Sequence, residues 1–221
     1  KDEAGVSRRL KFYTAPEKAE PFTCINGGDS RSNRTTRQEL NKIAAKLKPL
    51  FISFSGDMVG RPTDKEWDTW FSDWQLTISD DGTIIPIVVH RGNHENKKDA
   101  ITKEFDTPND VYYAFTIGGD LLRFYTLNSE IPAEGAQSSW LNKDLEKHSK
   151  KVTFTAAGYH KPMRPHVSAK KEGINPYKWA PIFYKYGVDL AFESDSHCCK
   201  RTQPLKPDVN GDEGFIAAID D

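Results

Sequence analysis

The segment IIPIVVHRGNHE, residues 84–95, joins an apolar run to a short group of polar side chains. Isoleucine and valine are branched at Cβ, and a short run of them bounded by turn residues is typical of a buried strand. Gly92-Asn93-His94-Glu95 follows that run with an amide, an imidazole and a carboxylate. Because ligands bind outside the carboxyl ends of strands in open α/β sheets, the segment predicts a buried strand that leads into a functional site.

Further polar clusters follow predicted strands elsewhere in the chain. The pairs of strand and cluster are Phe22–Asn26 with Asp29, Leu50–Ser55 with Asp57, Val152–Ala157 with His160, and Val188–Phe192 with Asp195 and His197. Taken singly, each cluster is also explained as a polar turn or a helix cap. Independent turn residues have no reason to keep this order, so the clusters together predict one site at a shared sheet edge.

Helical patterns separate these strands. Leu40, Ile43, Ala44 and Leu47 recur at helical spacing, and Thr63 with Glu66 forms a capping box before a stripe of aromatic residues that we interpret as core. Helices are also predicted over residues 136–148 and 178–186, with a hairpin around Gly118-Gly119-Asp120 and a last strand over Gly214–Ile219. The alternation of strands and helices predicts an α/β fold.

The composition excludes several classes of protein. The 221 residues include 31 Lys and Arg against 32 Asp and Glu, and a net charge of −1 predicts no nucleic-acid patch and no general attraction to a membrane surface. No apolar run approaches the roughly 18 residues of a membrane span, and three cysteines cannot form a disulfide scaffold. We expect one domain over residues 1–221, taken from a longer protein because the chain begins at Lys1.

The clusters supply carboxylate, amide and imidazole donors, which suit Mn, Fe, Zn or Mg. Their order resembles that of the calcineurin-like metallophosphoesterase superfamily, and especially its purple-acid-phosphatase-like branch. The matching blocks are Asp29-Ser30-Arg31, Gly56-Asp57, Gly92-Asn93-His94-Glu95, His160-Lys161-Pro162 and Ser194-Asp195-Ser196-His197. The resemblance covers residues 22–219, and the Gly-Asn-His-Glu block is its most specific part.

The resemblance implies a four-layer α/β/β/α sandwich, in which two mixed β-sheets pack face to face between outer helices. It also implies two divalent metal ions. The implied ligands, with Asp57 as the bridge, are Asp29 and His197 for the first ion and Asn93, His160 and Asp195 for the second. The implied activity is hydrolysis of small phosphate mono- or diesters by a hydroxide held between the two ions. The resemblance favours a periplasmic or extracellular location.

Other residues are implied in catalysis or substrate binding. His94 is expected to contact a phosphoryl oxygen or to protonate the leaving group. Arg31, in the first block, can reach the same cleft and bind phosphate through its guanidinium, and the alternative is a surface arginine. Arg164 and His166 are expected at the rim of the substrate cleft, or else in a solvated basic loop.

The chain departs from the family pattern at several positions. Asp195 stands where the family most often has histidine, which adds a negative charge and favours Mn, Fe(II) or Mg. Arg31 leaves no histidine in the first block, and Gly60 stands where the purple enzymes have the tyrosine that gives them their colour, so no purple centre is expected. Asp195 and Arg31 support a second hypothesis, in which the chain is a catalytically silent binding module.

Overall fold

The computed structural model describes residue 5 and residues 8–170, 174–207 and 215–217. In this part of the chain the strands form a three-stranded parallel sheet, a four-stranded mixed sheet and an antiparallel pair. The first sheet has the order β1 (Cys24–Gly27), β2 (Phe51–Phe54), β3 (Ile87–Val89). The second has the order β4 (Tyr113–Ile117), β5 (Leu122–Thr126), β6 (Phe154–Gly158), β7 (Leu190–Phe192). The pair is β8 (Leu205–Pro207) with β9 (Phe215–Ala217).

Helices alternate with the strands, as the sequence predicts. Their bounds are α1 (Arg34–Leu47), α2 (Asp64–Trp74), α3 (Ala136–His148), α4 (Ile174–Tyr177) and α5 (Ala180–Tyr186), with 3₁₀ turns at Gln75–Thr77 and Ser149–Lys151. The Thr63 side chain caps α2 by accepting a hydrogen bond from the Glu66 amide. This contact confirms the predicted role of Thr63 in the capping box. No helix among the described residues is long and apolar enough to cross a bilayer.

Buried side chains hold these elements in four layers. One group packs α1 and α2 against the first sheet and includes Ala44, Ile52, Phe54, Trp67 and Trp70. A second group lies between the two sheets and includes Phe51, Ile117, Phe124 and Ala156. A third group packs α3 and α5 against the second sheet and includes Tyr125, Leu141, Leu145, Tyr159 and Phe183. The predicted α/β/β/α sandwich is confirmed, and its first sheet is parallel in the described part of the chain.

The buried face of α1 differs from the one that its apolar spacing suggests. Leu40, Ile43 and Leu47 are 59%, 50% and 58% exposed, whereas Arg37 and Asn41 are buried. The Arg37 guanidinium donates to the Asp73 carboxylate, and Asn41 Nδ2 donates to the Asp73 carbonyl oxygen. Polar contacts to α2 therefore orient this helix. The larger side chains of the stripe lie on its outer side, and only Ala44 of the predicted stripe is buried.

The last predicted strand, Gly214–Ile219, is present at Phe215–Ala217 as β9. It pairs with β8 and not with either main sheet. The remaining residues of that prediction lie outside the described part of the chain.

The register of the parallel strands sets where the functional loops begin. Gly27 is paired with Phe54 and Phe54 with Val89, so β1, β2 and β3 end level with one another. In the second sheet Gly158 is paired with Phe192, so β6 and β7 also end together. Because the loops leave each sheet at one edge, residues distant in sequence can meet there.

His90 directly follows β3 and is completely buried, with its Nε2 3.0 Å from Ser53 Oγ. Burial lowers the pKa of His90 from its ordinary value of 6.5 to about 3. Between these two pH values the unfolded chain binds a proton that the folded chain does not. This histidine should therefore lower the free energy of unfolding by roughly 1.4 kcal/mol for each pH unit of acidification in that range.

The His90→Gln variant should have a shallower dependence of unfolding free energy on pH, because it removes this difference in proton binding. Urea unfolding between about pH 4 and pH 7 measures the slope for wild type and variant. His166→Gln, which changes an exposed histidine, is the matched control and should follow wild type. Equal slopes for wild type and His90→Gln would contradict the prediction.

Candidate metal centre

Several predicted site residues share an uncommon backbone conformation. Asp29, Asp57, Asp195 and His197 have φ values of 56°, 56°, 62° and 52°. This left-handed region is sparsely populated by residues that have a Cβ, although Asp and His tolerate it better than most. Each such residue costs on the order of 1–3 kcal/mol and persists where its surroundings hold it, typically at functional sites. The loops after β1, β2 and β7 therefore hold strained turns where the polar clusters lie.

Gly92 allows the loop after β3 to lie directly against the loop after β2. A Cβ at residue 92 would lie 2.3 Å from the Asp57 amide nitrogen and 2.3 Å from Asp57 Oδ1. A Cβ at Gly56 would lie 2.5 Å from the Gly92 nitrogen, and Gly56 has a φ of 89°. The glycines of these two sequence blocks therefore allow a close approach that a side chain would prevent.

Glu95 holds the same two loops together from below the site. Its fully buried carboxylate accepts hydrogen bonds from the amides of Asp57, Met58 and Gly92 at 2.9 Å and of Val59 at 3.2 Å. Burial raises the pKa of the Glu95 carboxyl, and the negative charge of Asp57 raises it further. The sequence places Glu95 in the Gly-Asn-His-Glu block, but the spacing of that block does not reveal a structural role.

Asp57, Asn93, His160 and Asp195, which we call the inner donor group, gather around His160 Nε2. This nitrogen lies 3.1 Å from Asn93 Oδ1, 3.4 Å from Asp57 Oδ1 and 3.7 Å from Asp195 Oδ1. His160 Nδ1 lies 2.7 Å from the Ser55 carbonyl oxygen. Because a carbonyl can only accept, Nδ1 carries a proton, and Nε2 is the ring nitrogen that faces the group and that would bind an ion through its lone pair in the neutral ring.

The inner donor group fits a divalent cation. Donor atoms of three of its members, Asp57, His160 and Asp195, lie within 4.8 Å of one another and of a carboxylate oxygen of Asp29 from the neighbouring loop. Ligands about 2.1 Å from one octahedral ion lie about 3.0 to 4.2 Å apart, so side-chain movements of about half an ångström would suffice. Carboxylate and amide oxygens with one imidazole suit Mn, Fe, Zn or Mg.

Asp29, Asp57 and His197, which we call the outer donor group, surround the guanidinium of Arg31. Arg31 Nη1 donates to Asp57 Oδ2 at 2.8 Å and to His197 Nε2 at 3.3 Å, and it lies 3.5 Å from Asp29 Oδ1. The Arg31 side chain is only 15% exposed. Arg31 therefore lies in the cleft, as one of the two sequence-based interpretations proposes, and not on the surface.

Two further contacts complete the surroundings of Asp195. Asp29 Oδ2 accepts a hydrogen bond from the Asp195 amide at 2.8 Å, and burial raises the pKa of the Asp29 carboxyl. Lys170 Nζ donates to Asp195 Oδ1 at 2.5 Å. No sequence signal indicated a role for Lys170, because it lies in a basic segment outside all the matching blocks.

His94 lies next to both donor groups. Its Nδ1 donates to the Gly60 carbonyl oxygen at 2.8 Å, and its Nε2 lies 3.9 Å from Asp57 Oδ2. Its amide donates to Asp57 Oδ1 at 2.9 Å. The hydrogen bond to Gly60 fixes the ring, and its partial exposure leaves Nε2 accessible to exchange a proton with a bound molecule.

Arg164 and His166 lie on the segment that follows His160, and both are exposed. The Arg164 guanidinium lies over the Tyr177 ring at 5.6 Å, and the Arg164 carbonyl oxygen accepts from Lys200 Nζ at 2.9 Å. A role for these two residues in substrate binding stays a prediction.

Solved structures with a similar fold include purple acid phosphatase PPD1 from yellow lupin (Lupinus luteus) seeds, at 13% identity and a TM-score of 0.64. That likeness covers 83% of this chain but only 39% of the lupin chain. The protein TT1561 of Thermus thermophilus is similar at 10% identity and a TM-score of 0.51, over 87% of this chain and 86% of the other. No curated protein matches the chain in sequence.

A sequence model of the calcineurin-like phosphoesterases matches residues 25–199, which is most of the chain. The match spans every block of the donor groups, from Asp29 to His197. The resemblance inferred from the order of these blocks is confirmed, and the chain belongs to the calcineurin-like phosphoesterase family.

Proposed function

We propose that the chain hydrolyses phosphate mono- or diesters with the help of a bound divalent metal ion. The observation that carries the proposal is the cluster of Asp57, His160 and Asp195 from the inner donor group with the neighbouring Asp29, whose donor atoms could hold a metal ion. Membership of the calcineurin-like phosphoesterase family supports it. The structural likeness covers only 39% of the lupin phosphatase chain. That this chain has a phosphatase activity like that of its longer relative is therefore part of the proposal.

The inner donor group would hold the ion, and His160 would bind through Nε2 because Nδ1 is engaged with Ser55. A bound divalent cation supplies Lewis-acid stabilisation of phosphoryl oxygens and lowers the pKa of a water molecule. The resemblance implies a second ion in the outer donor group, whose donors contact the Arg31 guanidinium.

The residues of the chain supply the remaining chemistry. The Arg31 guanidinium would contact a phosphoryl oxygen of the substrate and offset the charge that develops there. His94, held by Gly60 through Nδ1, would donate a proton from Nε2 to the leaving alkoxide. In this assignment Arg164 and His166 contact the substrate from the rim of the cleft and contribute to its selection.

The activity test uses a chromogenic phosphate monoester and a chromogenic diester, with chelated protein to which Mn²⁺, Zn²⁺ or Mg²⁺ is returned. Asn93→Ala should lower hydrolysis by about 10²-fold, because it removes a neutral oxygen donor from the inner group. Asn142→Ala on α3, which removes a hydrogen bond to the Ser138 carbonyl oxygen, is the matched control and should retain wild-type activity. Hydrolysis that neither chelation nor Asn93→Ala reduces would overturn the proposal.

A catalytically silent binding module is the second candidate function. Arg31 and Lys170 favour it, because their cations contact carboxylates of the outer and inner donor groups and would compete with a metal ion for them. This alternative predicts that the chain binds neither Mn²⁺ nor Zn²⁺ at saturating concentration. The phosphoesterase proposal predicts binding of at least one of them.

A further inference from the structure

We propose that the Arg31 guanidinium takes the place of the first metal ion, so that the chain binds a single divalent cation in the inner donor group. The inference rests on the proposed function and concerns the same site. The family resemblance implies two ions, and we propose one. The positive charge that an exchangeable ion supplies in a two-ion site would thus be supplied permanently by the Arg31 side chain.

The contacts of one nitrogen atom carry the inference. Arg31 Nη1 lies 2.8 Å from Asp57 Oδ2, 3.3 Å from His197 Nε2 and 3.5 Å from Asp29 Oδ1. These three donors are the set that the resemblance assigns to the first ion. An ion bound by all three would have to compete for their lone pairs with a guanidinium that already lies among them.

Asp57 divides its two oxygens between the two donor groups. Its Oδ2 accepts from Arg31 at 2.8 Å, whereas its Oδ1 lies 3.4 Å from His160 Nε2 in the inner group. A bridging carboxylate between two ions would be divided in the same way. Here one oxygen faces a guanidinium and the other remains available to an ion.

Arginine is suited to this role because it keeps its positive charge and cannot bind a metal ion. Guanidinium stays protonated at every physiological pH and has no lone pair with which to bind a metal, so Arg31 cannot serve as a ligand in the way a histidine can. A dication placed beside it would meet a positive charge at short range in a mostly buried site. The carboxylates of Asp29, Asp57 and Asp195 would be balanced by one guanidinium and one dication.

Lys170 does not block the inner donor group in the same manner. Its Nζ contacts one candidate ligand, Asp195 Oδ1, while Arg31 Nη1 contacts all three donors of the outer group. The Lys170 side chain is 34% exposed, against 15% for Arg31. A partly exposed lysine on a flexible stem can move into solvent when an ion binds, whereas Arg31 is enclosed.

The test counts ions. Purified protein is freed of metal with a chelator, equilibrated with Mn²⁺, and measured by elemental analysis and by electron paramagnetic resonance. Wild type should bind one Mn²⁺ per chain with the signal of an isolated ion. Arg31→His, which replaces the cation with a neutral ligand, should bind two and give the signal of an exchange-coupled pair. Arg8→His makes the same change at an exposed position outside both donor groups and is the matched control, with one ion expected.

Two ions in wild type, or one ion in a folded Arg31→His variant, would contradict the proposal that Arg31 takes the place of the first ion. This holds whatever the activity of either protein. Circular dichroism shows whether each variant is folded. If Arg31→His is unfolded, the number of Mn²⁺ ions bound by wild type alone tests the proposal. Absence of any bound ion in wild type would overturn both this inference and the proposed function. One bound ion without hydrolysis of either ester would overturn the proposed function and leave the replacement of the first ion supported.

Discussion

Asp57→Asn should lower metal-dependent phosphate ester hydrolysis by at least about 10³-fold, the loss expected when several kcal/mol of charge stabilisation is removed. The carboxylate of Asp57 is fully buried, and its two oxygens serve both donor groups. Asparagine keeps the shape but removes the charge, and it has one acceptor oxygen where Asp57 offers two, to the Arg31 guanidinium and to the His94 amide. Hydrolysis of a chromogenic phosphate ester at saturating metal measures the loss.

Asp68→Asn is the matched control for this variant. Asp68 is an exposed carboxylate on α2, outside both donor groups, and its replacement should leave the rate unchanged. A rate for Asp57→Asn within tenfold of that of Asp68→Asn would contradict the assignment of Asp57 to the metal centre.

Glu95→Ala should lower the free energy of unfolding by about 3–5 kcal/mol. The substitution leaves amide groups of Asp57, Met58, Val59 and Gly92 without the acceptor that they share, in a fully buried position. Urea or guanidinium unfolding followed by circular dichroism measures the loss. Because these amides order the loops after β2 and β3, metal binding should weaken in the same variant.

Glu66→Ala provides the comparison for Glu95. Glu66 also accepts hydrogen bonds from backbone amides, those of Gly60 and Arg61, but it lies nearer to solvent. Water can replace a partly exposed acceptor, so the loss of the Glu66 carboxylate should cost about 1 kcal/mol. If the two alanine variants are destabilised equally, the structural role assigned to Glu95 is wrong.

The positions of the site residues were largely predictable from the sequence, because each follows a strand. Apolar runs such as Ile84–Val89 identify buried strands, and parallel strands must end at a common edge. Asp57, Asn93 and His160 therefore meet as expected, with separations from His160 Nε2 of 3.4 Å and 3.1 Å.

The orientation of α1 and the contacts of Lys170 were not predictable in this way. Apolar spacing predicted α1 correctly, but the buried side of that helix carries Arg37 and Asn41, whose partner Asp73 lies 36 and 32 residues along the chain. Lys170 reaches Asp195 across 25 residues. Such pairs depend on tertiary packing, which leaves no periodic signal in the sequence.

Arg31 shows what the structure adds to a motif. The sequence left a choice between a guanidinium in the cleft and a surface arginine. Three contacts through Nη1 place it among the donors of Asp29, Asp57 and His197. Arg31, which departs from the family pattern, thus lies within the outer donor group. The identity of this residue therefore affects how many ions the chain can bind.

The central claim, that the carboxylates and imidazole at the strand ends bind a divalent cation, is tested most directly by measuring bound Mn²⁺ in wild type and Asp57→Asn after equilibration and removal of free ion. We expect one equivalent in wild type and a strongly reduced content in the variant, because Asp57 is the carboxylate common to both donor groups. Wild-type protein without bound Mn²⁺, or equal content in the two proteins, would contradict the claim.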